Sequence, residues 1–166
     1  MRQQFTCGVM VAFIGSAALA AQGSRSAALP EIWHTAMKVS LTAGGQRYES
    51  SAAGKCTHAA SASIGGVASE LWTAEQSDND KSLRLSLWQP KDGTRPMVSL
   101  AVTSGSSSHR VSTVRGTPAA GNAKASFEPS DKGGTFTLYA KSAEGVDIIG
   151  TVTCGDFTPH VAAGGL

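Results

Sequence analysis

Apolar residues return at every second position along most of this chain, in short runs that each end at a turn-forming cluster. Successive side chains of an extended strand point to opposite faces, so such a run buries one face and wets the other. The first run places Trp33, Thr35, Met37, Val39 and Leu41 on one face and His34, Ala36, Lys38, Ser40 and Thr42 on the other. Ala43-Gly44-Gly45 turns the chain, and a second strand is expected from Gln46 toward Cys56. Ala59 to Gln76 fits either a strand or a short helix by its apolar spacing. The residues downstream favour a strand from Glu70 to Gln76. Ser77-Asp78-Asn79-Asp80-Lys81 is a turn signal, and Ser82 to Trp88 alternates with Leu83, Leu85 and Leu87 on one side.

Centring that turn on Asn79-Asp80 sets a register. Trp72 falls opposite Leu87, Ala74 opposite Leu85 and Gln76 opposite Leu83, which makes one face apolar. On the other face Glu75 meets Arg84 and Leu71 meets Trp88. Further runs carry Val98, Leu100 and Val102; a weaker one spans His109 to Arg115; then come Ala123, Ala125 and Phe127, and then Phe136, Leu138 and Ala140. The last carries Ile148, Gly150, Val152 and Cys154 on one face. No βαβ alternation is present. The expected fold is an antiparallel β-sandwich of about eight or nine strands, with an up-and-down β-barrel as the alternative.

The amino terminus reads as an export leader: Met1-Arg2-Gln3-Gln4, an apolar run from Val9 to Ala20, and the small-residue site Ala18-Leu19-Ala20. The expected division is a signal peptide over 1–20, a flexible linker over 21–30, a β-sandwich domain over 31–158 and a flexible tail over 159–166. Cys7 leaves with the leader and sits too early to be a lipid-acceptor cysteine, so no stable membrane anchor is expected. Roughly 145 residues remain, enough for one domain with one core. In the oxidising compartment to which a leader directs a chain, Cys56 and Cys154 are expected to bridge, since they are the two cysteines left and Cys154 faces the core. Secreted or periplasmic localisation is expected from the same features.

The chemistry is defined largely by absence. Net charge is +2, and no Arg/Lys run with interleaved aromatics appears, which argues against nucleic acid. There is no G-x-S-x-G, and Ser106-Ser107-Ser108-His109 reads as a loop. Gly54-Lys55 lacks the rest of a phosphate-binding loop. His34, His58, His109 and His160 are scattered without metal-ligand spacing, and Asp78-Asn79-Asp80 reads as a turn. Glu70, Glu75, Asp78 and Asp80 cluster on one hairpin without an inferable cleft. No catalytic residue, metal or cofactor is expected. The remaining handle is the outward pair Leu71 and Trp88, a candidate binding patch unless another layer covers it.

Short motifs carry a resemblance: Thr42-Ala43-Gly44-Gly45, Cys56-Thr57, Ser63-Ile64-Gly65-Gly66, Val102-Thr103-Ser104-Gly105 and Ile149-Gly150-Thr151-Val152-Thr153-Cys154. In this layout the chain resembles the small mycobacterial surface lipoprotein antigens. That family has a leader, a hairpin, a first cysteine, a glycine-rich apolar segment and a last strand ending in the second cysteine. The resemblance implies a non-enzymatic β-sandwich of the surface or envelope. The family's lipid-acceptor cysteine has no counterpart here. The preferred expectation is an exported, non-catalytic binding module for an unknown envelope protein or ligand. The alternatives are an enzyme or metal carrier whose site joins distant residues such as His58 and His109, and a purely structural envelope protein.

Overall fold

The computed structural model describes residues 34–118 and 121–162. The expected leader, the linker and Trp33 lie outside the described residues. Those residues form eleven strands: β1 (Thr35–Ala43), β2 (Gln46–Ser50), β3 (Ala53–Ile64), β4 (Val67–Asp78), β5 (Lys81–Pro90), β6 (Met97–Ser104), β7 (Ser107–Ser112), β8 (Asn122–Pro129), β9 (Gly134–Lys141), β10 (Asp147–Cys154) and β11 (Thr158–Pro159). Nine lie on one hydrogen-bonded path, β7-β6-β5-β4-β3-β1-β10-β9-β8, and every pairing along it is antiparallel.

The all-β antiparallel class expected from the alternation is the one that forms, and its two layers share a strand. β1 pairs with β3 through Thr35 and Ala36, then with β10 and β2 through the rest of its length. The far ends of the path also approach one another, where the Gly121 N–H donates to the Ser112 carbonyl at 3.1 Å. The result is a nearly closed, barrel-like sandwich. Strands exceed the expected eight or nine because of two short pieces off the path, β2 on β1 and β11 on β3.

The second expected strand splits in two. The chain must leave one layer and enter the other between Ser50 and Ala53, and this breaks the ladder. Gln76, a polar residue at a core position, bridges the break: its amide donates to the carbonyls of Ala52 at 2.8 Å and Met37 at 3.3 Å. A buried carbonyl without a donor costs about 1–3 kcal/mol, so a polar side chain is favoured there over a leucine. The ambiguous stretch before it is strand throughout. β3 and β4 join at Gly65-Gly66, where φ is 58° and 81°, the left-handed pair of a tight hairpin turn. The β4–β5 register pairs Trp72 with Leu87, Ala74 with Leu85, Gln76 with Leu83, Glu75 with Arg84 and Leu71 with Trp88, as the alternation predicted.

The inward faces meet in one core. One layer supplies Leu83, Leu85, Leu87, Val98, Leu100 and Val111; the other supplies Val39, Leu41, Phe136, Leu138, Ile148 and Val152. Cys56 and Cys154 both belong to it, and they are bridged with Cα atoms 6.2 Å apart, inside the usual span of a disulfide. Gly150 has φ +148°, and a Cβ there would run into the backbone of Ser40 on β1, so this inward position requires glycine.

Of the residues 159–166 expected as a flexible tail, 163–166 lie outside the described residues. In the described part Pro159 lies in β11, beside His58 of β3, the His160 N–H donates to the His58 carbonyl at 2.9 Å, and Ala162 is buried. β3 has lost its β1 neighbour at this level, which leaves backbone groups open on that edge, and β11 fills part of the gap.

Candidate functional site

The same divergence of β3 from β1 opens a cleft at one end of the sandwich. His58 on β3 and Trp72 on β4 are direct cross-strand partners on the inward face. Their rings stack with centroids 4.5 Å apart and planes 12° from parallel. Trp72 leans on Phe127 of β8 at 5.2 Å, and Phe127 meets Phe157 edge-on at 5.6 Å. The Phe157 N–H donates to the Lys132 carbonyl at 3.0 Å, which ties the segment after Cys154 to the β8–β9 turn. That turn contributes Asp131 and Lys132 to the rim, and the tail contributes His160 and Val161. The volume is about 790 Å³, which lies in the range of small-molecule sites.

The cleft therefore has a flat aromatic wall, an imidazole on that wall and both charge signs at its mouth. Such a set binds by stacking and by hydrogen bonds to a ligand that is part apolar and part polar. Glu70 Oε2 lies 3.3 Å from His58 Nε2, so the ring is oriented by a carboxylate. Ser61 and Ser130 also line the cleft. Among the described residues neither hydroxyl is hydrogen-bonded to an imidazole, and no three His, Cys, Asp or Glu side chains converge as a metal-ligand group.

The residues singled out by sequence are dispersed. His58 and His160 share the cleft, whereas His109 lies by Tyr48 in a separate small void and His34 lies on the outer face of the β3–β7 layer. His58 and His109 are thus not brought together. Of the clustered carboxylates, Glu70 serves His58, Asp78 accepts from the Ser50 hydroxyl at 3.0 Å, and Glu75 lies on the outer face. Cys56 and Cys154 form the covalent tie beneath the cleft region rather than a reactive pair.

Leu71 and Trp88 lie side by side on the outer face of β4 and β5, and both are half-buried. Ala59, Ala62 and Ala162 pack around Leu71 in a cluster separate from the main core. The tail has become the covering layer at that end of the patch. Sequence reasoning missed Phe157, the Pro129–Gly133 turn and the tail as cleft walls. One signal was available: His58 shares the parity of Cys56, which places a histidine on an otherwise apolar face.

The chain matches no known protein family, no curated protein and no solved structure. Among the described residues no helix is long and apolar enough to cross a membrane.

Proposed function

We propose that this is an exported, non-catalytic binding module of the cell envelope, secreted or periplasmic, which holds its ligand in the cleft beside His58 and Trp72. The observation that carries the reading is the His58–Trp72 stack forming the wall of an open cavity of about 790 Å³. A stacked, carboxylate-oriented imidazole next to a buried indole is a preorganised wall, and preorganisation lowers the ordering cost of binding. The disulfide between distant segments supports export, because such bonds persist in oxidising compartments. The layout shared with the surface antigens supports the same assignment.

The test is capture from envelope extract on immobilised protein, comparing wild type with His58→Ala, Lys132→Glu and a control on the opposite layer, Tyr139→Ser. Circular dichroism melts first establish that each variant folds. The expected outcome is a retained component that survives Tyr139→Ser and is lost with both cleft variants. Equal capture by all four proteins, or none by wild type, refutes the cleft as the binding site. Turnover of any substrate that depends on His58 would replace the binding reading with an enzymatic one.

A further inference from the structure

The outer face of the β3–β7 layer is organised in lanes that cross the strands. Lys55, Glu75, Arg84, Ala101 and Arg110 stand directly opposite one another on five successive strands. The four charged residues are exposed, and none takes part in the ion pairs found among the described residues. The lane beside it is made only of hydroxyls: Ser77, Ser82, Thr103 and Ser108, again in register. On the other side Ser86 and Ser99 continue the pattern, and Trp88 lies one lane further. Together with His34, residues of the charged and hydroxyl lanes line a shallow trough of about 570 Å³ that shares no residue with the cleft.

The spacing of this lane carries information. Neighbouring strands are about 4.8 Å apart, so Lys55, Arg84 and Arg110 recur on alternate strands at roughly 10 Å. Between the first two cations stands a carboxylate, and between the second and third stands a methyl group. A chain lying along the lane must therefore present an anion over each cation. Over Glu75 it must present a hydrogen-bond donor without negative charge, and over Ala101 a neutral unit. A polymer of linked pyranoses advances by close to one strand spacing per sugar. The flanking serines and threonines suit a ligand rich in hydroxyls.

We infer that this face binds an acidic polysaccharide in which a carboxylate-bearing sugar alternates with a neutral one, laid across the strands with one sugar over each. Cation and anion then alternate in step, and the Glu75 carboxylate accepts from a hydroxyl or amide of the intervening neutral sugar. A chain with an anion on every sugar puts a negative charge against Glu75, so the acidic residue selects against it. The attraction is between exposed groups and weakens with salt.

The experiment is titration calorimetry of the purified protein with four probes at low and moderate salt. The probes are hyaluronan oligosaccharides, polygalacturonate oligosaccharides, neutral chitin oligosaccharides and inorganic polyphosphate. Hyaluronan fragments, with uronate on alternate sugars, are expected to bind most tightly, and more weakly as salt rises. Arg84→Gln and Arg110→Gln are each expected to lower that affinity by roughly tenfold, the order of one lost charge-assisted contact. Glu75→Gln is expected to raise the affinity for polygalacturonate relative to hyaluronan. All three side chains are exposed, so an unchanged melting temperature separates loss of binding from loss of fold. Polyphosphate or polygalacturonate binding as tightly as hyaluronan would reduce the face to a general polyanion site and overturn the inference. Equal binding of chitin fragments, absence of hyaluronan binding, or full retention by Arg84→Gln would overturn it as well. Because the trough and cleft share no residue, His58→Ala leaves this binding intact whether or not the cleft proposal holds.

Discussion

Tyr48 is among the largest fully buried side chains, yet among the described residues its hydroxyl has no hydrogen-bond partner. Burial, and then the nearby charge of Asp78, push its phenol up to about 12. In the unfolded chain the same group titrates near about 10. The unfolded state therefore loses its proton first as pH rises, and stability falls between those two values while remaining level below them. Tyr48→Phe removes both the unpaired hydroxyl and this alkaline slope. At neutral pH the substitution is expected to leave stability unchanged or raise it by less than about 1 kcal/mol, because an unsatisfied buried group is lost. Denaturant titrations at neutral pH and near about pH 11 check this, the gap between variant and wild type widening in the variant's favour at the higher pH. At Gln76 the amide N–H group serves two carbonyls where the strands part, while its Oε1, like the Tyr48 hydroxyl, has no partner among the described residues.

At the scale of the element, the β4–β5 hairpin divides its two tryptophans. Trp72 points inward, is 8% exposed, and touches His58 and Phe127. Trp88 stands half-buried on the outer face, across from Leu71 and Met97. A one-residue slip would exchange these roles, since strand faces alternate at every residue. Trp72→Ala is expected to cost about 3–5 kcal/mol as a core truncation. Trp88→Ala is expected to cost clearly less. Urea midpoints of the two variants decide the matter, and a larger loss from Trp88→Ala would contradict the register. The indole of Trp72 also forms the inner wall of the cleft, so its removal should enlarge the cavity as well as weaken the fold.

For the whole molecule, the bridge from Cys56 to Cys154 spans 98 positions and ties the β3 layer to the last strand of the other layer. A closed loop of about 100 residues restricts the unfolded chain strongly, by roughly 4–5 kcal/mol in the chain-entropy account. Cys154→Ser is expected to lower stability by about 2–5 kcal/mol and to move the thermal transition down accordingly. Measuring both proteins with and without reductant provides the control: reduced wild type should approach the variant, whereas the variant should not respond. The bridge lies near the point where β3 leaves β1, so it also limits how far the two layers can separate at the cleft.

The alternation of apolar and polar residues was enough to determine the all-β class, the inward faces and the β4–β5 register, because side-chain parity in a strand is a local property. The two cysteines remaining after the expected leader were enough to define one cross-link. Local pattern could not show that β1 serves two partners, since β1 reads as one uninterrupted strand from Thr35 to Ala43 whichever neighbour it has. Nor could it show that 159–162 belong to the domain. That short segment has no period of its own and is held by an edge that exists only once β3 and β1 have separated. The cleft beside His58 depends on that separation. The charged lane from Lys55 to Arg110 depends on the registers of four successive hairpin pairings at once; the alternation sets the β4–β5 one, whereas the other three depend on how each turn places its two strands.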